Sequence, residues 1–227
     1  MSRSHRPSLT FGFLLTLGLT ASAQAGEAEP GLRITLQVRN YAEVPEKTLS
    51  RAKKEVTKIF HQAGVDTSWH HIPAPSGEKR SNASSTPTAP SPGLQLRIHI
   101  LSQTMAKPLE ERLANNEHVF GVAPRTKDNP GRLVYIFYHR VEELVQKQWL
   151  LEHTARILGL AMAHEIGHLL LPPNSHTETG IMRANWYFPS KVDFLLATYG
   201  KLEFTPKQSE FIRNEMSQRI MEQEATE

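Results

Sequence analysis

The chain has 227 residues, 39% of them hydrophobic and 22% charged, enough for one domain of ordinary size with a buried core. Its formal net charge of +3 includes Arg3 and Arg6, whose expected removal with an N-terminal leader takes it to +1, too weak a bias for a nucleic-acid partner. There is no cysteine, which excludes disulfides, a lipidated cysteine and any metal site with a thiolate ligand, and leaves core packing, helped by a metal, to hold the domain.

Taken in chain order, Arg3 and Arg6 precede a short apolar stretch over residues 9–20, and Ala21, Ala23 and Ala25 follow. This is the pattern of a secretory signal peptide over residues 1–25, cut after Ala23 or Ala25. The apolar run is too short to cross a bilayer, which takes about 20 residues. An exported protein is expected, periplasmic or extracellular, with residues 26–227 as a single domain and no membrane span after cleavage.

Leu32, Ile34, Leu36 and Val38 alternate with polar residues and predict a strand with one buried face. Pro45 opens a helix whose apolar positions Leu49, Ala52, Val56, Ile59, Phe60 and Ala63 recur at helical spacing until Gly64 ends it. Arg51, Lys53, Lys54 and Lys58 lie between them as a solvated face. A second strand spans 65–69. Residues 73–93, rich in Pro, Ser, Thr and Ala, read as a flexible insertion in a surface loop. Leu94, Leu96, Ile98 and Ile100 predict a third strand. Residues 119–123, with Gly121 inside, suit a short edge strand. Residues 133–138 suit a central strand buried on both faces. A helical region follows from about Val141, and its second half, 155–171, is nearly all apolar until Pro172 and Pro173 stop it. Residues 206–221 form a last amphipathic helix with Phe211, Ile212, Met216 and Ile220 on one face.

Within the apolar helix, His164 and His168 stand four residues apart, one turn above the other. Both imidazoles can reach a single zinc ion at about 2.0–2.1 Å. Glu165 is rotated away from them and falls beside an open coordination position, where its carboxylate can take a proton from a metal-activated water and pass it to a leaving amine. The bare pentapeptide is common enough by chance to be only a hypothesis. Its setting strengthens it, because two histidines and a glutamate buried in an apolar helix need something to satisfy them. The bland alternative is a pair of core histidines bonded to backbone. The remaining histidines (His61, His70, His71, His99, His118, His139, His153) read as surface or hydrogen-bonded residues.

The run from His164 to Met182 resembles the metzincin clan of zinc peptidases, in its matrixin-like form, whose pattern is HExxHxxGxxH followed by a tight turn containing a methionine. It is also similar to strings in uncharacterised exported bacterial proteins. The resemblance implies a peptidase holding one zinc ion, with His164, His168 and His176 as ligands, Glu165 as general base and Met182 as the turn methionine beneath the metal. It departs from the family in two ways. Leu171 stands where the glycine should be, and two extra residues separate His168 from His176. Pro172 drives Leu171 out of helical geometry and Asn174 can supply a left-handed residue, so a different turn can bring His176 back. A later glutamate, Glu203 or Glu210, is the alternative third ligand, as in gluzincin-type peptidases. Glu178 reads as a loop residue or a partner to a ligand, and Trp186 and Tyr187 as packing beneath the site.

The expected fold is α+β and metzincin-like: a twisted mixed sheet of about four or five strands, a helix before it, the active-site helix packed across it and a C-terminal helix. The expected reaction is hydrolysis of a peptide or protein substrate, held extended along the edge strand at 119–123. A non-catalytic exported zinc protein, using the ion as a staple, is the reading from another class.

Overall fold

A computed structural model describes residues 31–71, 93–112, 119–126, 131–147, 150–184 and 202–225. The leader over 1–25, the insertion over 73–93 except Gly93, His118, Trp186 and Tyr187 lie outside the described residues. The elements are β1 (Arg33–Asn40), α1 (Glu46–Gln62), β2 (Asp66–His71), β3 (Leu94–Leu101), α2 (Gln103–Arg112), β4 (Gly121–Val122), β5 (Leu133–Phe137), α3 (Tyr138–Lys147), α4 (Thr154–Leu170) and α5 (Pro206–Glu224). This is the expected mixed α and β architecture.

The five strands form one sheet in the order β2-β1-β3-β5-β4. The first four run parallel, and β4 closes the edge antiparallel to β5, with Gly121 opposite Ile136 and Val122 opposite Tyr135. Alternation decides the faces. Ile34, Leu36 and Val38 of β1 and Leu94, Leu96, Ile98 and Ile100 of β3 are all buried toward the helices. The intervening Gln37, Arg39, Gln95 and His99 are half-buried, and Arg33 and Arg97 exposed. His99 sits edge-on between the rings of Tyr41 and Tyr135, and burial followed by the charges of Arg39 and Arg97 lowers its pKa.

Helix α1 behaves as its periodicity demands. Pro45 caps it, Leu49, Ala52, Val56, Ile59 and Phe60 are buried, and Gly64 follows with φ of 82°, a conformation that costs glycine least. It packs against α4 where both helices carry small residues. A Cβ on Gly159 would lie 2.8 Å from the Ala52 carbonyl oxygen and 2.8 Å from Glu55 Cβ, so glycine is what lets the two backbones meet.

The structure differs from the sequence expectation in four places. Helix α2, with Pro108 inside it, is not signalled by the sequence pattern; it packs through Ala106 against Leu101 and Phe137 on the sheet face away from α1. Strand β5 is covered on both faces, but unevenly: Val134 and Ile136 are buried on one and Phe137 on the other, whereas Leu133 and Tyr135 are half-exposed. The helical region after β5 is two helices, α3 and α4, joined through a 3-10 turn at Leu151–His153. On α5, Ile212 and Met216 are fully buried, but Phe211 is 41% exposed, since the inner face turns instead through Gln208, Ser209 and Arg219.

Candidate metal centre

Helix α4 is apolar on every side because it is enclosed on every side. From Ile157 through Gly167 each residue is buried, and so are Leu169 and Leu170. His164 and Glu165 are thus carried into the interior, while His168 is only half-buried, near the end of the helix. The chain leaves α4 through the turn that the altered motif requires. Leu171 is extended, with φ of −108° and ψ of 156°, and Asn174 adopts φ of 61°. The Ser175 hydroxyl donates to the Pro172 carbonyl. These four residues do what a single glycine does in the resembled motif, and they deliver His176 to the other two histidines.

A tight loop follows. The Thr177 amide donates to the Met182 carbonyl at 2.9 Å, and the Ile181 amide to the Glu203 carbonyl at 3.1 Å. Gly180 turns the chain with φ of 77°, and a Cβ there would lie 2.8 Å from the Glu203 carbonyl oxygen. Ile181 and Met182 are fully buried. Met182 lies under the histidine helix: its Sδ is 2.7 Å from where a Cβ on Gly167 would stand.

The three ring nitrogens converge. His168 Nε2 is 3.0 Å from His164 Nε2 and 3.0 Å from His176 Nε2. His164 donates Nδ1–H to the Ile181 carbonyl at 2.8 Å, which leaves its Nε2 as a lone pair aimed into the cluster. A neutral imidazole nitrogen carries either a proton or a lone pair, so His168 Nε2 cannot accept from one neighbour and donate to the other. A cation in the middle satisfies all three at once. Nitrogens about 2.0–2.1 Å from a tetrahedral zinc stand about 3.4 Å apart, close to the spacing found. The donor set, three imidazoles and no thiolate, suits zinc. Burial, the largest cause, pushes His164 down to about 4 and His168 down to about 3, with neighbouring histidines adding to both and Arg125 adding to His168. Both rings are therefore neutral, the form that binds metal.

Glu165 is 5% exposed, and burial raises its carboxyl to about 8. It has room only because β4 passes it with a glycine: a Cβ on Gly121 would lie 2.7 Å from Glu165 Cγ and 2.5 Å from the Tyr135 carbonyl oxygen. The helix thus sets its acid directly against the sheet's edge strand.

No protein-family model matches the chain, and no curated protein matches it. Among solved structures it is similar to the archaemetzincin of Methanopyrus kandleri, with 14% identity and a TM-score of 0.38 over 82% of this chain and 96% of that one. So loose a likeness carries no argument, and the site stands on its own geometry.

Among the described residues, the group placed to hold a metal ion is His164, His168 and His176. Glu203 instead accepts from Gln62 Nε2 at 2.9 Å, and Glu210 and Glu178 are exposed. Of the other described histidines, His61 lies 3.6 Å from Asp66, His139 3.1 Å from Glu110 and His153 3.4 Å from Glu152. Three supporting residues escape the sequence reading because they come from distant segments. Arg125 donates to the carbonyls of His168, at 2.8 Å, and Leu171. Arg219, 5% exposed and paired with Glu215, donates to the carbonyls of Leu169 and Gly131. Two guanidiniums so satisfy the last carbonyls of α4, where a helix has no partners of its own. Gln208 donates Nε2–H to the Ser175 carbonyl at 3.2 Å. Gly121 did carry a signal, a glycine inside a strand marking a close approach.

Proposed function

We propose that the chain is a zinc-dependent peptidase in which His164, His168 and His176 hold one ion and Glu165 is the general base. The convergence of three Nε2 atoms beside a buried glutamate carries this reading. Zinc bound there would polarise a peptide carbonyl and make water nucleophilic at neutral pH. The charge of an ion bound there would bring the Glu165 carboxyl back down from its buried value, and as a carboxylate it takes one proton from the attacking water and delivers it to the departing amine, so that hydroxyl adds to the carbonyl carbon as the C–N bond breaks. The Ile181 carbonyl keeps His164 in the tautomer that presents Nε2. His176, on the exposed side, leaves the cluster open to a substrate. Three ligands rather than four among the described residues favour an open, catalytic site over a closed staple.

The substrate is a peptide held extended along β4, the edge strand of the sheet among the described residues, beside Glu165. Export rests on the N-terminal leader; no described helix is long and apolar enough to cross a membrane.

The test combines metal analysis with hydrolysis. One zinc per chain is expected, bound much more weakly and to a similar extent in both His164→Ala and His176→Ala, with chelator-sensitive cleavage of an unstructured protein. Glu165→Gln keeps the zinc and loses cleavage. A Glu165→Gln variant with full activity removes the base from this reading, and a zinc Kd left unchanged by His176→Ala removes the third ligand.

A further inference from the structure

The two extra residues before His176 leave the third ligand on a long, poorly buried turn. Pro172, Pro173, Asn174 and His176 are all exposed, and Ser175 is half-buried. Apolar packing therefore does little to fix where His176 Nε2 points, and an unrestrained turn would spread that nitrogen over many positions. Two side chains from outside the turn hold it at its ends. At the start, the Arg125 guanidinium bridges the carbonyls of His168 and Leu171, which pins the point where the chain leaves α4. At the end, Gln208 Nε2 donates to the carbonyl of Ser175, the residue next to His176.

The Gln208 amide is itself locked. Its Oε1 accepts from the Thr205 amide at 2.9 Å while the Thr205 hydroxyl accepts from the Gln208 amide at 3.2 Å, the reciprocal pair that begins α5. Gln208 is 6% exposed. With its oxygen committed to Thr205, its NH2 must face Ser175. One residue thus serves both as helix cap and as holder of the ligand loop.

We propose that Arg125 and Gln208 are positioning residues for His176, which together replace the missing turn glycine and set the affinity of the site for its metal. The assignment rests on the zinc reading above. It ties that affinity to segments on either side of α4: Arg125 follows β4 by three residues, and Gln208 sits in the first turn of α5.

The experiment is zinc titration of the full chain with a competing chelator, for Gln208→Glu and Arg125→Gln, each with and without His176→Ala. Glutamate keeps an oxygen for the Thr205 amide, so the helix cap survives, but its carboxylate has no N–H for Ser175. Each substitution is expected to raise the zinc Kd about tenfold, the usual effect of losing a ligand's outer partner. In the His176→Ala background each is expected to change Kd by less than about twofold, because the ligand through which it acts is gone. A variant with an unchanged Kd removes its residue from the assignment. An equal penalty with and without His176 overturns it, since the residue then acts on the fold or on His168. Failure of the unsubstituted protein to bind zinc sinks the metal reading and this inference with it; normal binding with unaffected variants sinks this inference alone.

Discussion

At the residue scale, the most demanding position is a glycine. Gly121 touches nothing chemically reactive itself, yet a Cβ there would overlap both the Tyr135 carbonyl oxygen and Glu165 Cγ. The carbonyl belongs to a paired strand and cannot retreat cheaply, so Glu165 or the whole of β4 must shift. Gly121→Ala is therefore expected to keep zinc, which the histidines hold, while kcat falls about a hundredfold, the order of loss that a 1 Å misplacement of a reacting group brings. Unchanged kcat with wild-type folding would show that Glu165 need not sit where β4 leaves room for it. The same logic separates Glu165 from His164, its neighbour on the helix. The histidine has a backbone carbonyl to fix it, and the glutamate has the shape of the space.

At the scale of elements, β4 is short, but its hydrogen bonds decide what it can bind. The Phe137 amide donates to the Phe120 carbonyl at 2.8 Å, so this pair faces inward to β5. Inward and outward pairs alternate in an antiparallel ladder. Val122, opposite Tyr135, therefore turns its backbone groups to β5 as well, and Gly121 turns its N–H and C=O to the free edge. A docking peptide would use those two groups, with alternate residues of its own chain pointing toward β4. A series of substrates N-methylated at one amide after another is thus expected to show raised KM at alternate positions near the scissile bond and little effect between them. A flat series, with every methylated peptide cleaved alike, would rule out docking as an added strand.

At the scale of the molecule, what the sequence reveals follows from how local its causes are. Alternation in β1 and β3, helical spacing in α1 and the four-residue offset of His164 and His168 are local patterns, and each is found in the structure. Even the repaired turn was legible, because Pro172 and Asn174 restrict the backbone of their own neighbourhood. Arg125, Gln208 and Arg219 were not, since each acts on carbonyls 33 to 88 residues away through contacts that only the fold creates. Phe211 misled for a related reason. The α5 pattern suggested an apolar face including it, but the inner face carries the polar groups that the metal turn and α4 require. This division also bears on what the metal does for stability. The main core runs from β1 through α1, β3 and α4 to α5 and joins a large set of buried apolar side chains, so folding is not expected to depend on the ion as it does in a small zinc-stapled domain. On the proposed reading, zinc would bind only the folded chain and would add stability by mass action, about 2.7 kcal/mol at a hundredfold excess over Kd. For a domain of this size that corresponds to a Tm lowered by about 5–10 °C when a chelator strips the ion. The stripped protein is expected to keep its far-ultraviolet circular dichroism at 25 °C and to regain the original Tm when zinc is restored. Unfolding on chelation at that temperature would show instead that the three histidines are a structural staple without which the core does not hold.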